Sequence, residues 1–266
     1  MSPSGFKVAV RRLGVHLCRG LLFPLSRPFE LVLEPTLILA PHQDDETLAC
    51  GGLIARKRDE GHDVHVVFLT NGDASHRGHP RLSTTELVEL RRREAREALT
   101  ILGVDSACIH FWDEPDGSLK SLNAERRETL IARLAAFLQI LKPGRVFVPC
   151  SPDASSEHDP VLGLVTAAAN QARLGTEIWQ YPVWSWWNPS LMFAKILQVG
   201  TAHRLAGEDF HSIKRRALEC YRSQIKPVPP WDAPSLPPEL MDFCLNDPEY
   251  FFRGPDPTGD SYRPII

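Results

Sequence analysis

Leu37-Ile38-Leu39-Ala40-Pro41-His42-Gln43-Asp44-Asp45-Glu46-Thr47 decides how this chain is read. An apolar run stops at Pro41 and gives way to a histidine and three consecutive acids. A short apolar run bounded by a breaker reads as a buried strand. Thr36 to Ala40 is apolar on both faces, which suits a central parallel strand. Four ionisable groups at the mouth of such a strand are costly without a partner. A divalent metal ion suits one histidine grouped with carboxylates.

Working downstream, Thr47 to Arg58 reads as a helix. Its acidic start complements the positive end of the helix dipole, and Gly61 can stop it. The small residues Ala49 to Gly52 would let it lie close to the sheet. The pattern then repeats. Strands are expected at Val64–Thr70, Ala107–Phe111, Arg145–Pro149 and Glu177–Pro182. Helices are expected at Thr85–Leu102, Ala124–Leu141 and Asp159–Arg173, the last with Pro160 in its first turn. Strand and helix alternate with short connections, the signature of an α/β fold with a doubly wound, mostly parallel sheet. The expected architecture is Rossmann-like, in three α/β/α layers, with a C-terminal elaboration. Such sheets bind ligands beyond the carboxyl ends of their strands. The polar loops His42–Glu46, Asn71–Asp73, Asp113–Asp116 and Pro152–His158 all fall there.

The chain of 266 residues reads as a single domain, 1–266, and is long enough to bury a core. A 43% apolar and 24% charged composition is that of a globular protein, and a net charge of −3 gives no reason to invoke nucleic acid. Cys18, Cys50, Cys108, Cys150, Cys220 and Cys244 are scattered with no C-x-x-C spacing. That fits free thiols in a reducing cytoplasm, the expected location. No apolar run reaches the ~18 residues of a spanning helix. Residues 1–30 form a basic amphipathic segment, with Lys7, Arg11, Arg12 and Arg19 among apolar side chains. The preferred reading is a surface helix packed on the domain; the alternative is a helix in peripheral contact with a membrane. Residues 226–266 read as a Pro-rich extension that ends in a tail. Phe210–Tyr221 reads as a helix before it.

A hydrolytic zinc site takes about three protein ligands and keeps one open position. His42 and Asp45 lie three apart across a strand-to-helix turn and can aim at one point. Asp44, between them, can face the attacking water. His158 is the best third ligand, because it follows the fourth strand as His42 follows the first. Two other readings stay open at this point. The acids can simply cap a helix, or paired acids at a strand end can hold Mg²⁺ for phosphate chemistry. The two histidines favour zinc. The aromatic run Trp179–Trp187 is either a sugar-stacking platform, with Trp184 to Trp187 the candidates, or a buried strand and packed loop. Arg77 and Arg81 could meet a phosphate, or be solvated surface residues.

Pro41-His42-Gln43-Asp44-Asp45-Glu46 resembles the Ala-His-Pro-Asp-Asp-Glu signature of the LmbE / PIG-L family of zinc-dependent N-deacetylases. The resemblance spans roughly Thr36 to Gln224. Arg91-x-x-Glu94-Ala95-x-x-Ala98-x-x-Ile101-Leu102-Gly103-Val104 is similar to the family's second helix, and Pro115-Asp116-Gly117-x-Leu119 to its Asp-Gly loop. Lys214, Ala217 and Ser223-Gln224 are similar to a late Lys…Ala-Leu…Ser-Gln segment. The resemblance implies His42, Asp45 and His158 as zinc ligands and Asp44 as general base. It implies Arg91 and Asp116 beside the substrate, an N-acetylated amino-sugar conjugate of unspecified carrier; Trp184, from the aromatic run, and Ser155, at the departing position, are further substrate-contact candidates. Two positions depart from the pattern. Gln43 replaces a proline. Ser155-Ser156-Glu157-His158 replaces His-x-Asp-His, so Ser155 stands where an oxyanion-stabilising or acidic histidine is expected, and Glu157 where an orienting Asp is expected. His76, His79 and His211 could supply the missing acid, although each reads more simply as a surface residue. The implied reaction is removal of an N-acetyl group from an N-acetylglucosamine-type sugar. The alternatives are hydrolysis of another amide or a phosphate ester, or a non-enzymatic sugar- or metal-binding module.

Overall fold

The computed structural model describes residues 3–198, 202–206, 208–245 and 248–255. The chain opens with α1 (Pro3–Leu25) and β1 (Arg27–Pro28). Four strand–helix units follow: β2 (Thr36–Ala40) and α2 (Asp45–Asp59), β3 (Val64–Thr70) and α3 (Thr84–Ile101), β4 (Ile109–Glu114) and α4 (Ala124–Leu141), β5 (Arg145–Pro149) and α5 (Val161–Ala172). Then come β6 (Glu177–Tyr181), α6 (Trp184–Trp187), α7 (Pro189–Gln198), β7 (Ala202–Leu205), α8 (His211–Leu218), α9 (Arg222–Ile225), α10 (Pro238–Leu245) and β8 (Glu249–Arg253).

The strands form one eight-stranded sheet in the order β1-β7-β8-β6-β5-β2-β3-β4. All pairs are parallel except those of β8, which runs antiparallel between β6 and β7. β2 pairs with β3 on one side and β5 on the other. The winding direction therefore reverses between β2 and β5, and the loops leaving both strands open at the same crevice. Alternate residues of β2 face opposite layers. Leu37 and Leu39 pack with Leu134 and Leu138 of α4 and Val165 of α5. Ile38 and Ala40 pack with Leu53 of α2 and Leu99 of α3. This double coverage is why the strand carries no polar alternation.

The third strand differs from the expected Ala107–Phe111. Ala107 and Cys108 lie in a short 3-10 turn, and the strand continues through Trp112 to Glu114 because a register shift lets Glu114 pair with Thr70. The C-terminal region departs further. Residues expected as a Pro-rich extension supply β8, inside the sheet, while the final tail lies outside the described residues. β7 is a further strand that the sequence pattern does not announce.

β8 is anchored through Glu249. Its carboxylate accepts hydrogen bonds from Gly52 N (2.7 Å) and Leu53 N (2.9 Å) and pairs with buried Lys214 Nζ (2.7 Å). The small residues of α2 therefore make room for charged groups. A Cβ on Gly51 would lie 2.8 Å from the Lys214 side chain, and one on Gly52 would lie 3.2 Å from the Glu249 carboxylate.

α1 packs one face on the domain through Val15, Cys18 and Leu22. Val10, Leu13, Leu17, Leu21 and Leu25 are between 42% and 63% exposed, Val10 at the margin facing the α6–α7 segment. No helix among the described residues is long and apolar enough to cross a membrane. All six cysteines are free thiols.

Candidate metal centre and adjoining cavity

The loop after β2 is stitched to the end of β3. Thr70 donates to Pro41 O through both its N–H (3.0 Å) and its hydroxyl (2.8 Å). Gln43 Nε2 donates back to Thr70 O (2.8 Å), so the departure at this position adds a tether. Arg91 of α3 is buried beneath the loop. It donates to Gly72 O and Gln43 O (both 3.0 Å) and lies 3.4 Å from Asp44 Oδ2. Gly72 has φ +70°, and a Cβ there would collide with Gln43 Oε1, so glycine is required.

Asp44 sits at φ 150° just before α2. Its carbonyl accepts the first helical bond from Leu48 N (2.9 Å), yet its carboxylate makes no capping bond and faces the cavity. The helix-capping reading thus fails for Asp44. It holds in part for Glu46, whose carboxylate accepts from Asp44 N (3.1 Å) and is held in turn by the Thr47 and Tyr221 hydroxyls.

Three side chains converge. Asp45 Oδ2 lies 3.3 Å from His42 Nδ1 and 3.2 Å from His158 Nε2. Donor atoms of His42, Asp45 and His158 all lie within 4.8 Å of one another. Each histidine has its other nitrogen on a carboxylate: His42 Nε2 on Asp116 Oδ1 (3.1 Å) and His158 Nδ1 on Asp153 Oδ2 (2.8 Å). Outer carboxylates of this kind orient metal-binding imidazoles and raise their basicity. His158 Nε2 is buried and has no aligned hydrogen-bond partner. An unsatisfied imidazole nitrogen aimed at a carboxylate and a second histidine fits a divalent cation.

Without an ion, the three groups hold one another's charges. Burial opposes charge on both histidines, but hydrogen bonds to Asp116 and Asp45 raise His42 to about 9, and Asp45 and Asp153 raise His158 to about 10. Burial also works against ionised Asp45, yet His158 and His42 hold its carboxyl far below the usual range. Asp44 goes the other way, pushed up to about 8 by burial against the opposing Arg91.

The cavity beside these groups measures about 590 Å³. His42, Asp44, Asp45, Arg91, Asp116 and Trp184 line it, as do Ser155 and Glu157; His158 lies buried behind them. Asp116, expected as a substrate contact, has both oxygens engaged, Oδ2 by Ala74 N (3.1 Å) and Oδ1 by His42. Glu157 does not orient His158: its carboxylate accepts from Leu119 N (3.2 and 3.3 Å) in the loop after β4. The orienting group is Asp153, which sequence reasoning misses. It is fully buried and accepts from Trp184 N (3.0 Å), Ser185 N (2.6 Å) and the Ser185 hydroxyl as well as from His158. An acid five residues before a histidine carries no local pattern, so only the fold reveals the pair.

The remaining candidates separate. His76 and His79 are buried, not surface residues, and both pack on Trp231. His76 Nδ1 lies 3.0 Å from Ser75 Oγ, and Ser75 is on the cavity wall. His211 belongs to a different pocket with Arg12 and Asp242. Arg77 and Arg81 are exposed and take no part in the wall. Trp179 and Trp186 are core residues, whereas Trp184 is half-buried at the cavity. Ser223 and Gln224 of the late segment dock on the site: Ser223 donates to Glu94 through N (2.8 Å) and Oγ (2.6 Å), and Gln224 lines the cavity.

Comparison with known proteins places these features. The PIG-L family model, described as GlcNAc-PI de-N-acetylase, matches residues 37–169, half of the chain. A diacetylchitobiose deacetylase of Thermococcus kodakarensis is 31% identical over 132 residues, which cover 48% of this chain and 44% of that enzyme. A 1D-myo-inositol 2-acetamido-2-deoxy-alpha-D-glucopyranoside deacetylase of Saccharopolyspora erythraea is 26% identical over 230 residues, covering 71% of this chain and 83% of that one. Among solved structures, a conserved protein of Thermus thermophilus superposes with a TM-score of 0.59 at 26% identity, covering 88% of this chain and 99% of the other. The match reaches across β2, α2, α3 and the loop that carries His158, so the chain belongs to the LmbE / PIG-L family.

Proposed function

We propose that this protein is a zinc-dependent hydrolase that removes the N-acetyl group from an N-acetylglucosamine-type sugar conjugate. The observation that carries the reading is the convergence of His42, Asp45 and His158 beside Asp44, a carboxylate left free by its helix at the wall of the cavity. The related deacetylases from T. kodakarensis and S. erythraea support an acetylated amino sugar as the substrate class.

His42, Asp45 and His158 would hold zinc, with Asp116 and Asp153 fixing the two rings. Bound there, zinc would acidify a water molecule and polarise the amide carbonyl. Asp44 takes a proton from the attacking water as it adds to the carbonyl carbon. Arg91, hydrogen-bonded to the carbonyls on either side of the site, keeps Asp44 in place. The departing amine needs a proton, and Ser155 in place of histidine supplies no strong acid. Asp44 returns the proton it took. Trp184 offers an apolar face to the sugar ring.

The test is acetate release from N-acetylglucosaminides by zinc-loaded protein. Asp44→Asn should lower kcat by ~10²- to 10⁴-fold with zinc content retained. Full activity in that variant, or the absence of stoichiometric zinc in active protein, would sink the assignment. A non-enzymatic sugar- or metal-binding role, the reading that Ser155 favours, is upheld if zinc and sugar bind and no acetate appears.

The alternative reading of α1, peripheral contact with a lipid surface, keeps support in its composition. It has no acidic residue in 23 positions and exposes Lys7 and Arg12, the latter paired with Asp242 (3.6 Å), together with Leu13, Leu17 and Leu21. Leu13→Glu with Leu17→Glu should abolish co-sedimentation with anionic vesicles; unaltered sedimentation refutes the contact.

A further inference from the structure

We propose that a second cavity, between α1 and the α6–α7 segment, receives an apolar aglycone carried by the sugar conjugate. The proposal rests on the deacetylase reading above and names what the substrate bears beyond the sugar. This cavity also measures about 590 Å³, within the range of small-ligand sites. It shares two wall residues, Ala154 and Trp184, with the cavity at the metal centre. A ligand whose sugar lies beside Asp44 reaches the second cavity by passing Trp184.

That passage is well defined. The backbone N–H of Trp184 is held by Asp153, the same carboxylate that holds His158. The partition between the cavities is therefore fixed to the metal centre.

Its chemistry differs from that of the first cavity. Val10, Trp187 and Pro189 provide apolar surface, and the helices come close at Gly14, where a Cβ would lie 2.8 Å from Pro189. Among the described residues, no acid lines the wall. Lys7 and Arg11 do, and neither has a carboxylate partner among the described residues; the Arg11 guanidinium lies 3.7 Å over the Trp187 ring. An apolar chain or ring is accommodated, and a cationic one is repelled. Apart from Ala154, the wall residues lie outside the stretch 37–169 that matches the family model.

The experiment uses full-length zinc-loaded protein and methyl, butyl and octyl N-acetyl-β-glucosaminides, the last below its micelle concentration. Binding is read by calorimetry, and turnover by acetate release. Full burial of an alkyl chain is worth about fourfold per CH₂, from ~0.8 kcal/mol each. Partial burial in an open groove should still give the octyl compound at least ~30-fold tighter binding than the methyl compound. Val10→Asp, at a half-exposed position where folding tolerates charge, and Trp187→Ala should each collapse that ratio. A terminal ammonium on the octyl chain should do the same in the wild type. Equal affinity for methyl and octyl compounds overturns the proposal, as does an octyl preference that survives both substitutions. Preferential octyl binding, lost in Val10→Asp, with no acetate from any compound would uphold the groove and sink the deacetylase reading instead.

Discussion

Two histidine–carboxylate pairs meet at Asp45, and they are not equivalent. The His158–Asp153 pair is fully buried, and Asp153 also fastens the start of α6. The His42–Asp116 pair lines the cavity, with His42 19% exposed, and Asp116 hangs on a loop tied to Ala74. One pair is built into the core; the other is hung at its edge. The buried pair should therefore govern stability, and the open pair metal affinity.

The largest effect should fall on the buried pair. Asp153→Ala leaves His158 without its partner and strips α6 of an acceptor, and should cost ~3–5 kcal/mol of unfolding free energy. Denaturant titration checks this; a loss near that of Asp116→Ala would erase the contrast. Asp116→Ala should cost only ~1 kcal/mol of stability while weakening zinc binding ~10- to 100-fold, as read by competition with a chelator. Ser155→His, on the buried pair's loop, tests whether that loop lost an acid. Acetate release should rise by up to ~10-fold, well short of a perfectly placed acid; a fall would show that the pocket is shaped around serine. The smallest effect belongs to Arg77 and Arg81, beyond the open pair. Their alanine variants should keep kcat/KM within about twofold, as surface changes usually do, whereas a tenfold drop would revive a phosphate contact.

The same contrast explains what the sequence can disclose. His42, Asp44 and Asp45 are legible because a doubly covered strand must be apolar throughout, so its polar terminus stands out. His158 is legible because the topology repeats, placing the loop after β5 beside the loop after β2. Arg91 and Asp116 are legible as residues near the site, but their hydrogen bonds place them as braces, one for Asp44 and one for His42. Asp153 is invisible because its partners are a histidine five positions on and backbone N–H groups from α6, which no spacing rule connects. β7 and β8 are short and lack a clean period-two pattern, and their places in the sheet depend on each other. Glu157 misleads by position: it aligns with an orienting acid, yet its carboxylate serves the Leu119 backbone.

The placement of β8 also bears on how the chain comes to life. Glu249–Arg253 is the last described strand, and it lies between β6 and β7. During synthesis the amino-terminal strands can pair as they emerge, and β6 can join β5, but the other edge of β6 cannot be covered until Glu249–Arg253 has appeared. Until then Lys214 lacks its anion and the sheet presents an open edge, a template for pairing with another chain. A message cut short before Glu249 would thus yield a protein with His42, Asp45 and His158 present and its sheet unfinished, a substrate for quality control more than for catalysis.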